Sequence, residues 1–149
     1  MFDAAEWLAS VAEAARAIQR DAVMAEARRL AAQRLSAPTG IGGGSADPMG
    51  PLDEAIDQDA TRRQRLAHAY DELREAARVF EGLRSVGLME QEAADVMELV
   101  SIGCMTIDEA AEALRTSPRT AKRRKRYGLE WLDAHGLAYA KAGTGRAYV

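Results

Sequence analysis

Six of the eight residues in Arg119-Thr-Ala-Lys-Arg-Arg-Lys-Arg126 are basic and none is acidic. The chain as a whole carries a net charge of −3, so removing the six positive charges of this octet leaves −9. Positive charge gathered into about two helical turns of an otherwise acidic chain is chemistry directed at a polyanion. Arginine can bond guanine through two donors at once, and either Arg or Lys can neutralise a phosphate. Like charges packed this densely repel one another on a helix surface, and a polyanionic partner compensates them. The competing readings are a solvated cationic surface, or a patch that answers acidic turns elsewhere in the chain.

The residues before the octet favour the first reading. Thr106 to Leu114 reads as a short helix, started by the Thr-x-x-Glu capping box of Thr106 and Glu109. Ser117 followed by Pro118 places an N-cap and a first-turn proline where a second helix begins. Between them Arg115-Thr-Ser-Pro118 reads as a tight turn. This is the outline of a helix-turn-helix, whose second helix, about 118–134, enters the DNA major groove. On that helix Ala121, Gly128, Leu129 and Leu132 define the packing face. Arg119, Lys122, Arg123 and Arg126, at spacings of three and four, form a continuous outward surface. Thr120 adds a polar contact, while Arg124 and Lys125 lie nearer the flank and suit phosphates.

Upstream, residues 3–35 form a long helical pattern without Gly or Pro. Trp7, Val11, Ala15, Ile18, Ala22 and Ala25 make a narrow stripe of coiled-coil width. Residues 36–51 contain five Gly and three Pro and read as a flexible linker. A second helix resumes over 52–85, with Ile56, Leu66, Tyr70, Leu73, Ala77 and Phe80 on one stripe. Its first turns are acidic (Asp53, Glu54, Asp57, Asp59) and basic residues follow, an order that suits the helix macrodipole. The first helix either folds back on the second as an antiparallel hairpin or pairs with another subunit. The pattern weakens at Gly82 and Gly87. From Leu88 the spacing becomes that of a compact domain: Val96, Leu99, Val100, Ile107, Ala110, Ala111 and Leu114, then the packing face of the final helix. The expected divisions are therefore 1–35, 36–51, 52–87, 88–136 and a tail over 137–149; its 142–149 part has no period and reads as frayed, although Tyr139 and Tyr148 can dock locally.

Composition sets the class. Aromatics are 5 % of the 149 residues, and Ala, Leu, Arg and Glu dominate, which favours an all-α fold. Cys104 is the single cysteine, so no internal disulfide or thiolate metal cluster can form. A cytoplasmic address is expected, with no secretory signal and no membrane span. His68 and His135 are read as surface or helix-end residues. No enzyme signature, cofactor motif or metal-ligand spacing is present. The Gly40-x-Gly-Gly-Gly44 run lacks the adjacent Lys-Ser/Thr of a phosphate loop and follows no strand.

The segment from Glu98 to Arg123 (Glu-Leu-Val-Ser-Ile-Gly-Cys-Met-Thr-Ile-Asp-Glu-Ala-Ala-Glu-Ala-Leu-Arg-Thr-Ser-Pro-Arg-Thr-Ala-Lys-Arg) resembles the helix-turn-helix of sigma-factor region four. The wider layout, with Ser36-Ala-Pro-Thr-Gly40 between two long helices, resembles phage transcriptional regulators of the RinA and ArpU kind. The resemblance implies a promoter-reading regulator of phage or prophage origin. It further implies that Arg119, Thr120, Lys122 and Arg123 read bases, and that Thr106, Ser117 and Arg126 touch the DNA backbone. The chain departs from the pattern in three ways. Arg115 stands at a turn position where glycine is usual, Ala111 and Ala121 stand where larger aliphatic residues are usual, and Lys125 stands where an apolar residue is common. Double-stranded DNA is the expected partner, with homo-oligomerisation through the helical arm and a contact to RNA polymerase also in view. Two other readings compete: a phage DNA-packaging protein of the small-terminase type, and a helical adaptor that binds RNA polymerase.

Overall fold

The computed structural model describes residues 1–36 and 49–143, with the side chains of 49–56 excepted. The linker expected at 36–51 therefore falls mostly outside the described residues, as do Tyr148 and the side chains of Asp53, Glu54 and Ile56. Six helices follow one another: α1 (Ala4–Leu35), α2 (Met49–Arg84), α3 (Leu88–Ser101), α4 (Ile107–Ala113), α5 (Pro118–His135) and α6 (Leu137–Ala142). There is no strand among the described residues, so the fold is all-α.

α1 and α2 form an antiparallel hairpin within one chain. Where the start of α1 lies against the last turns of α2, Trp7 meets Phe80 edge-on at 5.7 Å, and Ser10 donates to Glu72. Farther out Asp21 pairs with Arg62 at 3.2 Å. Only the first turns of α1 are buried on more than one side. Ala4, Leu8, Val11, Ala12, Ala14 and Ala15 are all buried, a wider face than the stripe expected from spacing. Of that stripe, Val11 and Ala15 are buried, Trp7 and Ile18 half-buried, and Ala22 and Ala25 exposed. The reason is that this half of α1 packs on α2 and also on α3 and α5, so it needs apolar atoms around much of its circumference.

On α2 the buried residues are Ala69, Ala76, Val79, Phe80 and Leu83, while Tyr70 and Ala77 are exposed. The expected stripe is thus rotated by about one position from the one the fold uses. The main core joins the hairpin to the C-terminal helices: Leu8 and Val11, Phe80 and Leu83, Ala93 and Met97, Leu132, and Ala140 form one cluster. A smaller cluster of Val96, Ala111 and Ala121, with Ile107 and Leu114 against it, fills the helix-turn-helix. Arg84, half-buried, bonds Asp95 at 2.9 Å and also Glu98, fastening the end of α2 to α3. Burial works against its charge, but the bonds to the two carboxylates outweigh that and hold its pKa above the ordinary arginine value.

Two local features correct the sequence reading. The tail expected over 137–149 begins with α6, whose Ala140 is fully buried against α2, while most of the stretch expected to fray, 142–149, lies outside the described residues. Gly82, where the helical pattern seemed only to weaken, is the point at which α6 crosses. A Cβ there would lie 1.9 Å from the Ala140 carbonyl oxygen. Arg115 occupies the turn between α4 and α5 with φ 54°, the left-handed region that its replacement of a turn glycine implied.

These positions give opposite predictions. Helix propensity alone would make Gly82→Ala stabilising by about 1 kcal/mol, but the clash with α6 should make it destabilising by about 1–3 kcal/mol. Arg115→Gly should stabilise by about 0.5–1 kcal/mol, because relief of the left-handed strain exceeds the added chain entropy of glycine. Urea midpoints at unchanged m-value measure both.

Candidate nucleic-acid interface

The two start signals are built as their residue types require. Thr106 Oγ1 accepts from the Glu109 amide at 3.2 Å while the Glu109 carboxylate accepts from the Thr106 amide at 3.1 Å, a complete capping box. Ser117 Oγ accepts from the Thr120 amide at 3.1 Å and donates to the Thr120 hydroxyl at 2.9 Å, with Pro118 in the first turn of α5. Thr106, Ser117 and Thr120 are thus already employed in starting helices. Each keeps some hydrogen-bonding capacity, but their first role is to fix where α4 and α5 begin.

α5 is held along its length by residues that share its inner face. Ala121 packs on Val96 and Ala111. Gly128 is buried against α3, where a Cβ would lie 2.4 Å from Met97 Cε, and Leu132 enters the main core. The Tyr127 hydroxyl donates to Glu90 at 2.8 Å. Beyond the basic cluster, Asp133 accepts from the amide of Ala4 at 2.8 Å, so α5 supplies a carboxylate to the N-terminus of α1. Asp3 caps the same helix start. The helix ends at Gly136, φ 86°, after Trp131 and His135 stack at 4.1 Å.

With the inner face so fixed, the basic octet divides three ways. Arg119, Lys122, Arg123 and Arg126 are exposed, and none forms an ion pair among the described residues. Arg124 turns to α3 and pairs with Glu92 at 3.4 Å. Lys125 turns to the opposite flank and lines a crevice between α1 and α5. The structure therefore brings four of the expected site residues onto one open face, sends two to the flanks and uses three in caps.

Spacing could not reveal Glu90, Glu92 and Asp133, which orient the site. Their partners Tyr127, Arg124 and Ala4 lie far away in the chain, and no local pattern links them. Among the described residues no group of His, Cys, Asp and Glu is placed to hold a metal ion, and no helix is long and apolar enough to cross a membrane.

The sequence profile of the ECF sigma factor family matches residues 10–137. The chain belongs to the ECF sigma factor family. The match runs from within α1 to the first residue of α6, so it takes in the hairpin and the helix-turn-helix together. No curated protein and no solved structure matches the chain. Membership of the ECF sigma factor family makes the chain a DNA-binding transcription regulator in the general sense, from a non-enzymatic family.

Tyr127 gives this subsection its test. Its hydrogen bond to Glu90, then burial, then the Glu90 charge, raise its pKa above the usual tyrosine value. A raised folded-state pKa means that the contribution to stability is complete below the unfolded value, about 10, and is lost as pH climbs through the folded value. Tyr127→Phe should cost about 1 kcal/mol at neutral pH, and the gap from wild type should close in alkaline solution. Urea unfolding across that range measures it.

Proposed function

We propose that the chain reads promoter DNA with the outward face of α5. Arg119, Lys122 and Arg123 face base edges in the major groove, with Thr120 beside them. Arg126 contacts phosphates, joined by Arg124 when its pair with Glu92 opens, and by Lys125 from the other flank. Thr106 and Ser117, at the starts of α4 and α5, offer additional contacts to the DNA backbone. The observation that carries this reading is the set of four exposed, unpaired cations on one face of a helix whose inner face is fixed in the core. A loosely held cationic helix would neutralise phosphates without register; a fixed one can present donors at set positions.

The regulator is further proposed to work as a homo-oligomer. A single small helix-turn-helix makes few base contacts, and pairing two on one face of DNA raises affinity. The outer half of the hairpin supports this, because Val23, Met24, Leu30 and Leu35 of α1 are exposed beyond the shared core. The order of helix, Gly/Pro-rich segment, helix and terminal helix-turn-helix supports a phage or prophage source, by its resemblance to regulators of the RinA and ArpU kind. RNA polymerase is the protein partner that this reading proposes.

A promoter-length duplex titrated at several salt concentrations tests it. Replacing Arg119, Lys122 and Arg123 together by Ala should weaken binding by about 2–5 kcal/mol and flatten the salt slope by up to about 3. Glu92→Gln, which releases Arg124, should strengthen binding and steepen that slope by about 1. Unchanged binding in the triple variant contradicts the assignment.

A further inference from the structure

A crevice of about 320 Å³ separates the first half of α1 from the start of α4 and the flank of α5. Its α1 wall is Ala5, Ala9 and Ala12, which share one face at spacings of four and three. Ile107 and Leu129 form the wall opposite. Two cations stand among these apolar residues. Arg16 extends the alanine wall by one turn, and Lys125 reaches in from α5. Lys125 is half-buried and makes no hydrogen bond or ion pair among the described residues. Arg16 has only a 3.6 Å approach to Glu13, whose carboxylate is already held by Arg20 at 2.9 Å. The crevice therefore joins an apolar floor to the Lys125 ammonium, which no acid among the described residues pairs with, and to Arg16, which shares Glu13 with Arg20.

We propose that this crevice binds a small amphipathic carboxylate, with its apolar body along the three alanines and its carboxylate at Lys125 and Arg16. Size and chemistry together select this ligand class. The volume falls at the low end of small-molecule pockets, about 300–1,000 Å³. The alanine wall is only about 10 Å long at the helical rise, enough for a medium-length chain and short for a partner helix. Inorganic phosphate would meet the cations but leave the apolar walls wet. The placement of Lys125 is also the departure noted in the sequence, a lysine where the pattern commonly has an apolar residue. A lysine that merely lays its stem over apolar atoms, with the ammonium in water, would confer no preference for anionic ligands.

Calorimetric titration of the full chain with octanoate tests the site, with octanamide and acetate as probes that lack the charge or the apolar body. Octanoate should bind, and both comparison probes should bind at least about tenfold more weakly, as expected when a charge-assisted contact or the apolar burial is lost. Lys125→Met should cost octanoate about tenfold in affinity. Ala9→Phe, at an exposed helix position and with its helical content checked by circular dichroism, should fill the crevice and abolish binding. The proposal is overturned if octanoate gives no heat, if octanamide or acetate binds equally well, or if octanoate binding survives both substitutions. No DNA is present in the titration, so its outcome is separate from that of the promoter-reading proposal.

Discussion

At Gly128 the backbone of α5 lies so close to α3 that a single added carbon would collide with Met97. This close approach fixes the rotation of α5 about its own axis, and the rotation decides which cations face outward. Turn the helix by one residue, about 100°, and Arg119, Lys122, Arg123 and Arg126 no longer share the open face. The neighbouring contacts agree with that setting: Ala121 against Val96 and Ala111, Leu132 in the main core, Tyr127 bonded to Glu90. Repulsion among six cations on two turns favours loosening the helix. The setting holds only because packing on the inner face outweighs that repulsion.

The helix-turn-helix contributes little of that packing by itself. Its own cluster contains Val96 and two alanines as fully buried members, with Ile107 and Leu114 partly covered. The large buried side chains, Phe80, Leu83, Met97 and Leu132, belong to the core that it shares with the hairpin. The first turns of α1 complete this core, and the Asp133 carboxylate bonds the first amide of that helix. A thin recognition domain thus borrows its rigidity from the α1–α2 hairpin. The outer half of the same hairpin, exposed and rich in arginine, takes no part in the core and is free to serve contacts outside the chain.

The parts of this arrangement that could be read in advance are the ones written locally. Thr106 with Glu109 and Ser117 with Pro118 announce helix starts within four residues, and both are built as their chemistry dictates. The outward set on α5 follows from the same periodicity that identifies Ala121, Gly128 and Leu132 as its inner face. Periodicity misled where a helix has more than one neighbour or very small core residues. The early turns of α1 are buried on several sides, so one stripe under-describes them. On α2 the true face runs through Ala69, Ala76 and Val79, and the bulkier Tyr70 drew the expected stripe aside. Gly82 looked like a weak point of a helix because nothing nearby in sequence announces the crossing of α6, a helix of six residues that is too short to show a period. Glu90, Glu92 and Asp133 act across 37, 32 and 129 positions of sequence, beyond the reach of any local pattern.

Native-state hydrogen exchange tests most directly whether the basic helix depends on the hairpin for its position. If the shared core holds α5, the amides of α1 from Leu8 to Ala15 and those of α5 from Ala121 to Leu132 should open in one cooperative event with a common free energy, near that of global unfolding. If the α1 amides exchange at a much lower free energy while those of α5 stay protected, the helix-turn-helix stands without the hairpin and the account is wrong.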